Sequence, residues 1–393
     1  MALRNGRGRR LWRSRSQASG GTIYDIEPSL ALVREVLETS PPRESVRGRM
    51  LVVMIPAFNE AATVGEVVRK VPRRIAGIDV VRVLVVDDGS DDNTELEARR
   101  AGADHVLHHG RNVGLGVSFR DGLEFALAWG ADVVVNIDAD EQYDPAEIPK
   151  LVGPIVQDGA DVVLGDRDVA RVDHVPRLKR IGNKIATGAI RRATGLSIVD
   201  GQTGFRALSR DAGLRLNLQE TYTFTHEMLF QVAEHNLRLR YVPVSFQRRN
   251  GNSRLIPTIW TYLKNASGAL IRGYAAYRPL RLFGSVSSFF LALAVALGAW
   301  LFLHPLSGSP LGVTPLSGEA AIVALLAISA QAALTGVLAE AHRSDRRAQA
   351  EILYRLRKVM MDRERARQGV WALPDDPTVR PGGSQAEPNS GPP

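Results

Sequence analysis

The sequence predicts an α/β catalytic domain on a mostly parallel, doubly wound sheet, followed by a two-helix transmembrane hairpin. Three observations carry this. Runs rich in β-branched residues, Met50 to Ile55, Val81 to Val86 and Val133 to Ile137, alternate with stretches of helical apolar spacing, and strands that alternate with helices form parallel sheets. The turns leaving these runs are acidic, and such sheets bind ligands outside the carboxyl ends of their strands. Residues 282–303 and 320–339 contain no charged side chain; at about 1.5 Å per residue each reaches roughly 30 Å, the thickness of a bilayer core.

The chain has 393 residues, enough for one large catalytic domain with appendages or for two domains. It has no cysteine, which excludes a disulfide framework and a thiolate metal site. The net charge of +8 is uneven, with six arginines within residues 1–15 and another basic cluster after the second apolar stretch. This basic excess flanks apolar segments and lacks interleaved aromatics, so anionic membrane lipid is the expected partner and nucleic acid is not. The first twenty residues hold no apolar run long enough for a signal peptide, so the amino-terminal domain is expected in the cytoplasm.

In chain order, residues 1–22 are rich in Arg, Gly and Ser and read as disordered, and 23–44 as a short helix ended by Pro41-Pro42. The strand from Met50 leads through Pro56-Ala57-Phe58-Asn59-Glu60 to a helix over 61–71. Val81 to Val86 leads through Asp87-Asp88-Gly89-Ser90-Asp91-Asp92-Asn93-Thr94 to a helix ending near Ala101. A short strand at His105 to Leu107 precedes Gly114 and a helix to Trp129. Further strands are read at Asp161 to Gly165 and Leu239 to Val244, with a helix over Phe224 to Asn236 between them. The glycines at 114, 116 and 122 lack the spacing of a dinucleotide-binding turn and come too late in the chain. His105, His108 and His109 show no ligand spacing and read as strand-end surface residues, and no His-carboxylate dyad is evident.

The strand Val133 to Ile137 runs into Asp138-Ala139-Asp140-Glu141-Gln142. Two aspartates one residue apart at a strand's carboxyl end converge on whatever fills the crevice there, and a hard divalent cation is the natural occupant. Gln142 keeps the alternation and adds a neutral oxygen, the set expected for Mg²⁺ or Mn²⁺. The plainer reading is an acidic solvated loop. For Asp91 and Asp92 the plainer reading is capping of the next helix.

The ordered set Pro56-Ala57-Phe58-Asn59-Glu60, Asp87-Asp88-Gly89-Ser90, Asp138-Ala139-Asp140 and Asp200-Gly201-Gln202-Thr203-Gly204-Phe205-Arg206 resembles family 2 glycosyltransferases of the GT-A fold. Among these the chain is most similar to the polyprenyl-phosphate sugar synthases, of the dolichyl-phosphate mannose synthase type. The resemblance covers residues 50–340. It implies that Pro56, Ala57 and Glu60 line the donor pocket, that Asp88 contacts base or ribose, and that Asp138, Asp140 and Gln142 hold the metal on the donor diphosphate. It also places acceptor-phosphate contacts in the basic segment with Arg177, Lys179 and Arg180. Arg167 and Arg206 are further acceptor candidates, Arg206 equally suiting a structural ion pair. Arg248, three residues before Gly251, holds the position of a lipid-phosphate ligand.

The expected activity is direct, inverting transfer of a sugar, such as glucose or mannose, from a nucleotide diphosphate to polyprenyl or dolichyl phosphate, on the cytoplasmic face of the cell membrane. A phosphate monoester, with a second pKa near 6, is largely a ready nucleophile at neutral pH, so no strong protein base is required. The alternatives are a related enzyme acting on another lipid or glycan, and a non-catalytic scaffold, which would not need the intact Asp138, Asp140 and Gln142. A processive synthase would carry a Gln-x-x-Arg-Trp motif, absent here. The expected organisation is a basic amino-terminal segment to 48, a glycosyltransferase domain over 49–255, interfacial amphipathic helices over 256–281, the two spans over 282–341, and a basic helix and tail over 342–393. A homo-oligomer is left open. The loop 304–319 has no lysine or arginine, which is the charge bias expected of the translocated side.

Overall fold

The computed structural model describes residues 48–167, 187–218 apart from 189 and 193, 224–247, 274–303 apart from 276, and 315–367. Residues 1–47, 248–273 and 368–393, which carry several of the expectations above, lie outside this set. The strands are β1 (Met50–Ala57), β2 (Val80–Asp87), β3 (His105–His108), β4 (Val133–Asn136), β5 (Val162–Asp166), β6 (Arg206–Ser209) and β7 (Leu239–Pro243). The helices are α1 (Val64–Lys70), α2 (Thr94–Arg100), α3 (Leu115–Ala128), α4 (Ile148–Val156), α5 (Arg210–Arg215), α6 (Phe224–Glu234), α7 (Pro279–Leu303) and α8 (Pro315–Arg367).

The strands form one sheet in the order β3-β2-β1-β4-β6-β5-β7. β1, β2, β3 and β4 pair in parallel, as do β5 and β7. This is the mostly parallel GT-A type of sheet the sequence predicts. β1 shows why it forms: all eight residues are buried. Met50, Val52 and Met54 enter the core shared with α3, and Leu51, Val53, Ile55 and Ala57 enter the core shared with α1 and α4. A strand covered on both faces by helices has to be apolar throughout. Fully burying each Val, Leu or Ile side chain contributes about 1.5–3 kcal/mol, so a charge at Val53 would break the sheet at its centre.

β6 is the strand the sequence reading did not anticipate. It lies antiparallel between β4 and β5, with Asn136 opposite Arg206. Its apolar content is only Ala207 and Leu208, too little to signal a strand after a glycine-rich turn. The pairing with both neighbours, not intrinsic propensity, makes it one.

α7 and α8 form an antiparallel hairpin in which Ser329 Oγ donates to Ser287 O at 2.9 Å. Its outward surface is apolar, with Phe289, Val295, Phe302 and Val323 more than 60% exposed. α8 does not stop at the end of the apolar stretch. Between Gly336 and Arg367 there is no glycine or proline to end it, so the second expected span and the expected basic helix are one helix of 53 residues. Its far half lies on the α/β domain. Tyr354 and Met361 are buried in the α3 core, Tyr354 Oη donates to Asp211 at 2.5 Å, and Arg357 pairs with Glu124 at 2.8 Å.

Candidate active site

The carboxyl ends of β1, β2 and β4 lie side by side, with Ala57 opposite Asp87 and Met54 opposite Asn136. Pro56 and Ala57 end β1 as buried residues, and Phe58, Asn59 and Glu60 emerge half-buried. The two loops that follow β1 and β2 are laced together. Asn59 takes a left-handed φ of 54°, its N–H donates to Ser90 Oγ at 2.9 Å, and its Oδ1 accepts from Asp91 N at 2.9 Å. Glu60 N donates to Thr94 Oγ1 at 2.9 Å and Ala61 N to Asp92 Oδ2 at 3.2 Å. Asp92 also accepts from Thr94 N at 2.9 Å, a local bond of the capping kind at the start of α2. Gly89, at φ 73°, passes so close to Arg111 that a Cβ would lie 2.6 Å from its Cα.

Asp88 is buried, and its carboxylate accepts from Val113 N at 2.9 Å and Gly114 N at 3.0 Å. In this structure it braces the loop before α3. Beside it His109 is fully buried, 3.4 Å from both Asp88 and Asp121. Burial pulls its pKa down, but the two carboxylates outweigh that and raise it from 6.5 to about 9. Burial pushes the Asp88 carboxyl up, but hydrogen bonds from His109, Val113 N, Ser118 and Gly114 N outweigh it and hold it below the ordinary carboxylate value. The expectation that the three histidines are surface residues is therefore corrected. His109 is a core cation, His105 stacks on Phe125 at 4.6 Å, and only His108 is exposed. His108 Nδ1 is 2.8 Å from Asp87 Oδ2, and with Glu95 these three offer ligand atoms within 4.8 Å of one another. Parallel pairing of β2 with β3 creates these dyads, Asp87 standing opposite His108. No linear spacing could show that.

Asp138 and Asp140 stand half-buried just beyond β4, which is held there by Ile137 N donating to Met54 O at 3.0 Å. Glu141 has a left-handed φ of 60°, a strained conformation of the sort that accumulates at functional turns. It turns the chain so that Gln142 N donates to Asp140 Oδ1 at 3.2 Å. Gln142 is then joined to the loop after β7: its Nε2 donates to Gln247 O at 3.2 Å, and Gln247 N donates to Gln142 O at 2.8 Å. Glu147 accepts from Ser245 N at 2.8 Å and Ser245 Oγ at 3.1 Å. The segment that leads into Arg248 is thus fastened to the Asp138–Gln142 turn, although Arg248 lies outside the described residues, as do Arg177, Lys179 and Arg180.

The two described acceptor candidates sit deeper than an exposed phosphate contact would. Arg167 forms a bidentate pair with buried Asp200, at 2.6 and 2.9 Å, under the Phe246 ring. Arg206 is 1% exposed. Its guanidinium lies between the rings of Phe119 and Phe224 at 5.5 and 5.2 Å, and its Nη2 donates to Thr203 O. Burial lowers its pKa to about 10 against the attraction of Asp138, so it remains a cation at neutral pH. As they stand, both guanidiniums serve the protein's interior.

The Glycosyl transferase family 2 profile matches residues 52–213. The chain is 31% identical over 208 residues to a dolichyl-phosphate hexose transferase of Haloferax volcanii, covering 53% of this chain and 87% of that one. This chain belongs to glycosyltransferase family 2. It is also 30% identical over 208 residues to polyprenol monophosphomannose synthase of Mycolicibacterium smegmatis, covering 50% and 77%, and 30% identical over 216 residues to undecaprenyl-phosphate mannosyltransferase of Micrococcus luteus, covering 52% and 87%. Among solved structures, glucosyl-3-phosphoglycerate synthase from Mycobacterium tuberculosis aligns with 66% of this chain and 85% of its own, at 23% identity and a TM-score of 0.47.

Proposed function

We propose that this glycosyltransferase moves a sugar from a nucleotide diphosphate to a polyprenyl phosphate at the cytoplasmic face of the cell membrane. The observation that carries the reading is the fastening of two regions. The Asp138–Gln142 turn at the sheet edge is bonded to Gln247, and the chain runs from there to a hairpin of two helices long and apolar enough to cross a membrane. An acceptor phosphate arriving from a bilayer would meet the metal-side edge through that segment. The names of the relatives support the same acceptor class.

In this reading Pro56, Ala57 and Glu60 hold the nucleotide, with Asp88 bracing the neighbouring loop. Asp138, Asp140 and Gln142 supply two carboxylates and an amide, hard oxygen donors that suit Mg²⁺ or Mn²⁺. Such an ion, when bound, neutralises charge growing on the departing diphosphate. Arg248, with Arg177, Lys179 and Arg180, fixes the acceptor phosphate. A phosphate oxygen then forms the new bond to the anomeric carbon while the bond to the diphosphate breaks on the opposite face, inverting configuration. The phosphate dianion needs no protein base, and positioning provides much of the rate.

The orientation follows from charge and contact. Arg278 and Arg281 stand before the apolar part of α7, and Arg343, Arg346 and Arg347 follow that of α8. With the far half of α8 packed on the catalytic domain, both ends of the hairpin would lie on that domain's side of the membrane, and a reporter at residue 312 should read as translocated. The acceptor class is tested by offering the purified full chain a panel of labelled nucleotide-diphosphate sugars with either polyprenyl phosphate in vesicles or a soluble phosphate monoester. Preferential labelling of the lipid is expected. Equal or better labelling of the soluble ester would overturn the lipid assignment.

A further inference from the structure

The turn Thr203-Gly204-Phe205 is held against Asp138 by residues on either side of the acidic motif. Asn136, two residues before Asp138, donates from Nδ2 to Gly204 O at 2.7 Å. Tyr143, three residues after Asp140, accepts from Gly204 N at 3.1 Å. Both polar backbone groups of Gly204 are therefore engaged by side chains that bracket the motif. Asn136 and Tyr143 are themselves buried, and the Tyr143 ring is wedged between Phe205 and Phe246 at 5.3 and 5.2 Å. On the next residue but one, Arg206 ties the same turn down through Thr203 O.

The space where a side chain at 204 would stand is filled by the Asp138 carboxylate. A Cβ there would overlap Oδ2 and lie 2.7 Å from both Cγ and Oδ1 of Asp138. We infer that Gly204 is a positioning residue for Asp138: clamped by Asn136 and Tyr143, its bare Cα is the floor that fixes where the carboxylate lies. Gly204 does not have a left-handed backbone, so its conformation does not demand glycine. The contact demands it. The atoms an added methyl would strike are the far end of the Asp138 side chain and not backbone, so the carboxylate shifts while the fold tolerates alanine.

The inference rests on the proposed metal role of Asp138, and the test separates the two. Binding of Mn²⁺ alone to the full-length protein is followed by electron paramagnetic resonance, beside thermal unfolding in metal-free buffer, for wild type, Asp138→Ala, Gly204→Ala and the double variant. Outer residues that orient a ligand are worth about 10–100-fold in metal affinity, and Gly204→Ala should lose that much while unfolding at the wild-type temperature. In the Asp138→Ala background the same substitution should change neither Mn²⁺ binding nor unfolding, because there is no carboxylate left to displace. Tyr143→Phe, which removes one arm of the clamp and keeps the ring, should weaken Mn²⁺ by a smaller factor. Wild-type Mn²⁺ affinity in Gly204→Ala overturns the inference, as does an equal fall in unfolding temperature in both backgrounds, which marks a purely structural glycine. Equal Mn²⁺ binding by wild type and Asp138→Ala overturns the metal assignment itself, and this inference with it.

Discussion

Between β1 and α2 the polar side chains at the sheet edge bind backbone: Ser90, Asp92 and Thr94 accept from the loop after β1, and Asp88 accepts from the loop before α3. Beyond β4 the pattern changes. There Arg167 is locked to Asp200 and Arg206 lies between two rings, while Asp138 and Asp140 stand half-buried just beyond β4. The edge after β1 and β2 is thus a scaffold of side-chain to backbone bonds that tie one loop to the next. The edge beyond β4 combines buried charge with two half-buried carboxylates, Asp138 and Asp140. The difference teaches that an arginine in a suggestive motif is not yet a ligand: what it faces decides whether it meets substrate or supports the group that does.

The contrast makes graded predictions. The largest effect belongs to the half-exposed carboxylates, where Asp138→Ala or Asp140→Ala should lower turnover by about 10²-fold or more, with a wild-type unfolding temperature. Activity in these variants measured with and without EDTA checks the assignment. The buried pair should act on stability instead. Arg167→Met leaves Asp200 as an uncompensated buried charge and should cost about 3–5 kcal/mol in denaturant unfolding. A stable Arg167→Met with a raised requirement for lipid phosphate would return Arg167 to the acceptor side.

A smaller, pH-dependent effect is expected on the donor side from His109, whose pKa is raised from 6.5 to about 9. A group bound more tightly as a cation in the folded state stabilises fully below its unfolded pKa and loses that contribution as pH rises through its folded pKa. Stability worth on the order of 3 kcal/mol should therefore be present below pH 6.5 and fall away as pH rises toward and past 9. His109→Gln should unfold with a flatter pH dependence over that window. The smallest effect is at the docked end of α8. Tyr354→Phe removes one hydrogen bond to Asp211 and should cost about 1 kcal/mol, with no change in turnover.

Much of the fold was legible because its signals are local. β1, β2 and β4 are rich in β-branched residues, and polar turns mark their carboxyl ends. The length of α8 was also written in its composition, by the lack of a breaker after Gly336, although the shift from apolar to basic suggested two elements. What could not be read is what pairing creates. β6 exists because β4 and β5 flank it, and His108 meets Asp87 because β3 aligns with β2. The clamp on Gly204 joins residues some sixty positions apart. Its only trace in sequence is a glycine in a motif whose neighbours suggested a turn.

The central claim is that the edge bearing Asp138 and Asp140 transfers sugar to a lipid phosphate. It is tested most directly by reconstituting wild type and Asp140→Ala in polyprenyl phosphate vesicles, adding labelled nucleotide-diphosphate sugar with Mg²⁺ or Mn²⁺, and extracting with organic solvent. The account predicts label in the organic phase for wild type, dependent on both polyprenyl phosphate and cation, and almost none for Asp140→Ala. Wild-type labelling by Asp140→Ala, or label that enters only water-soluble product, would contradict it.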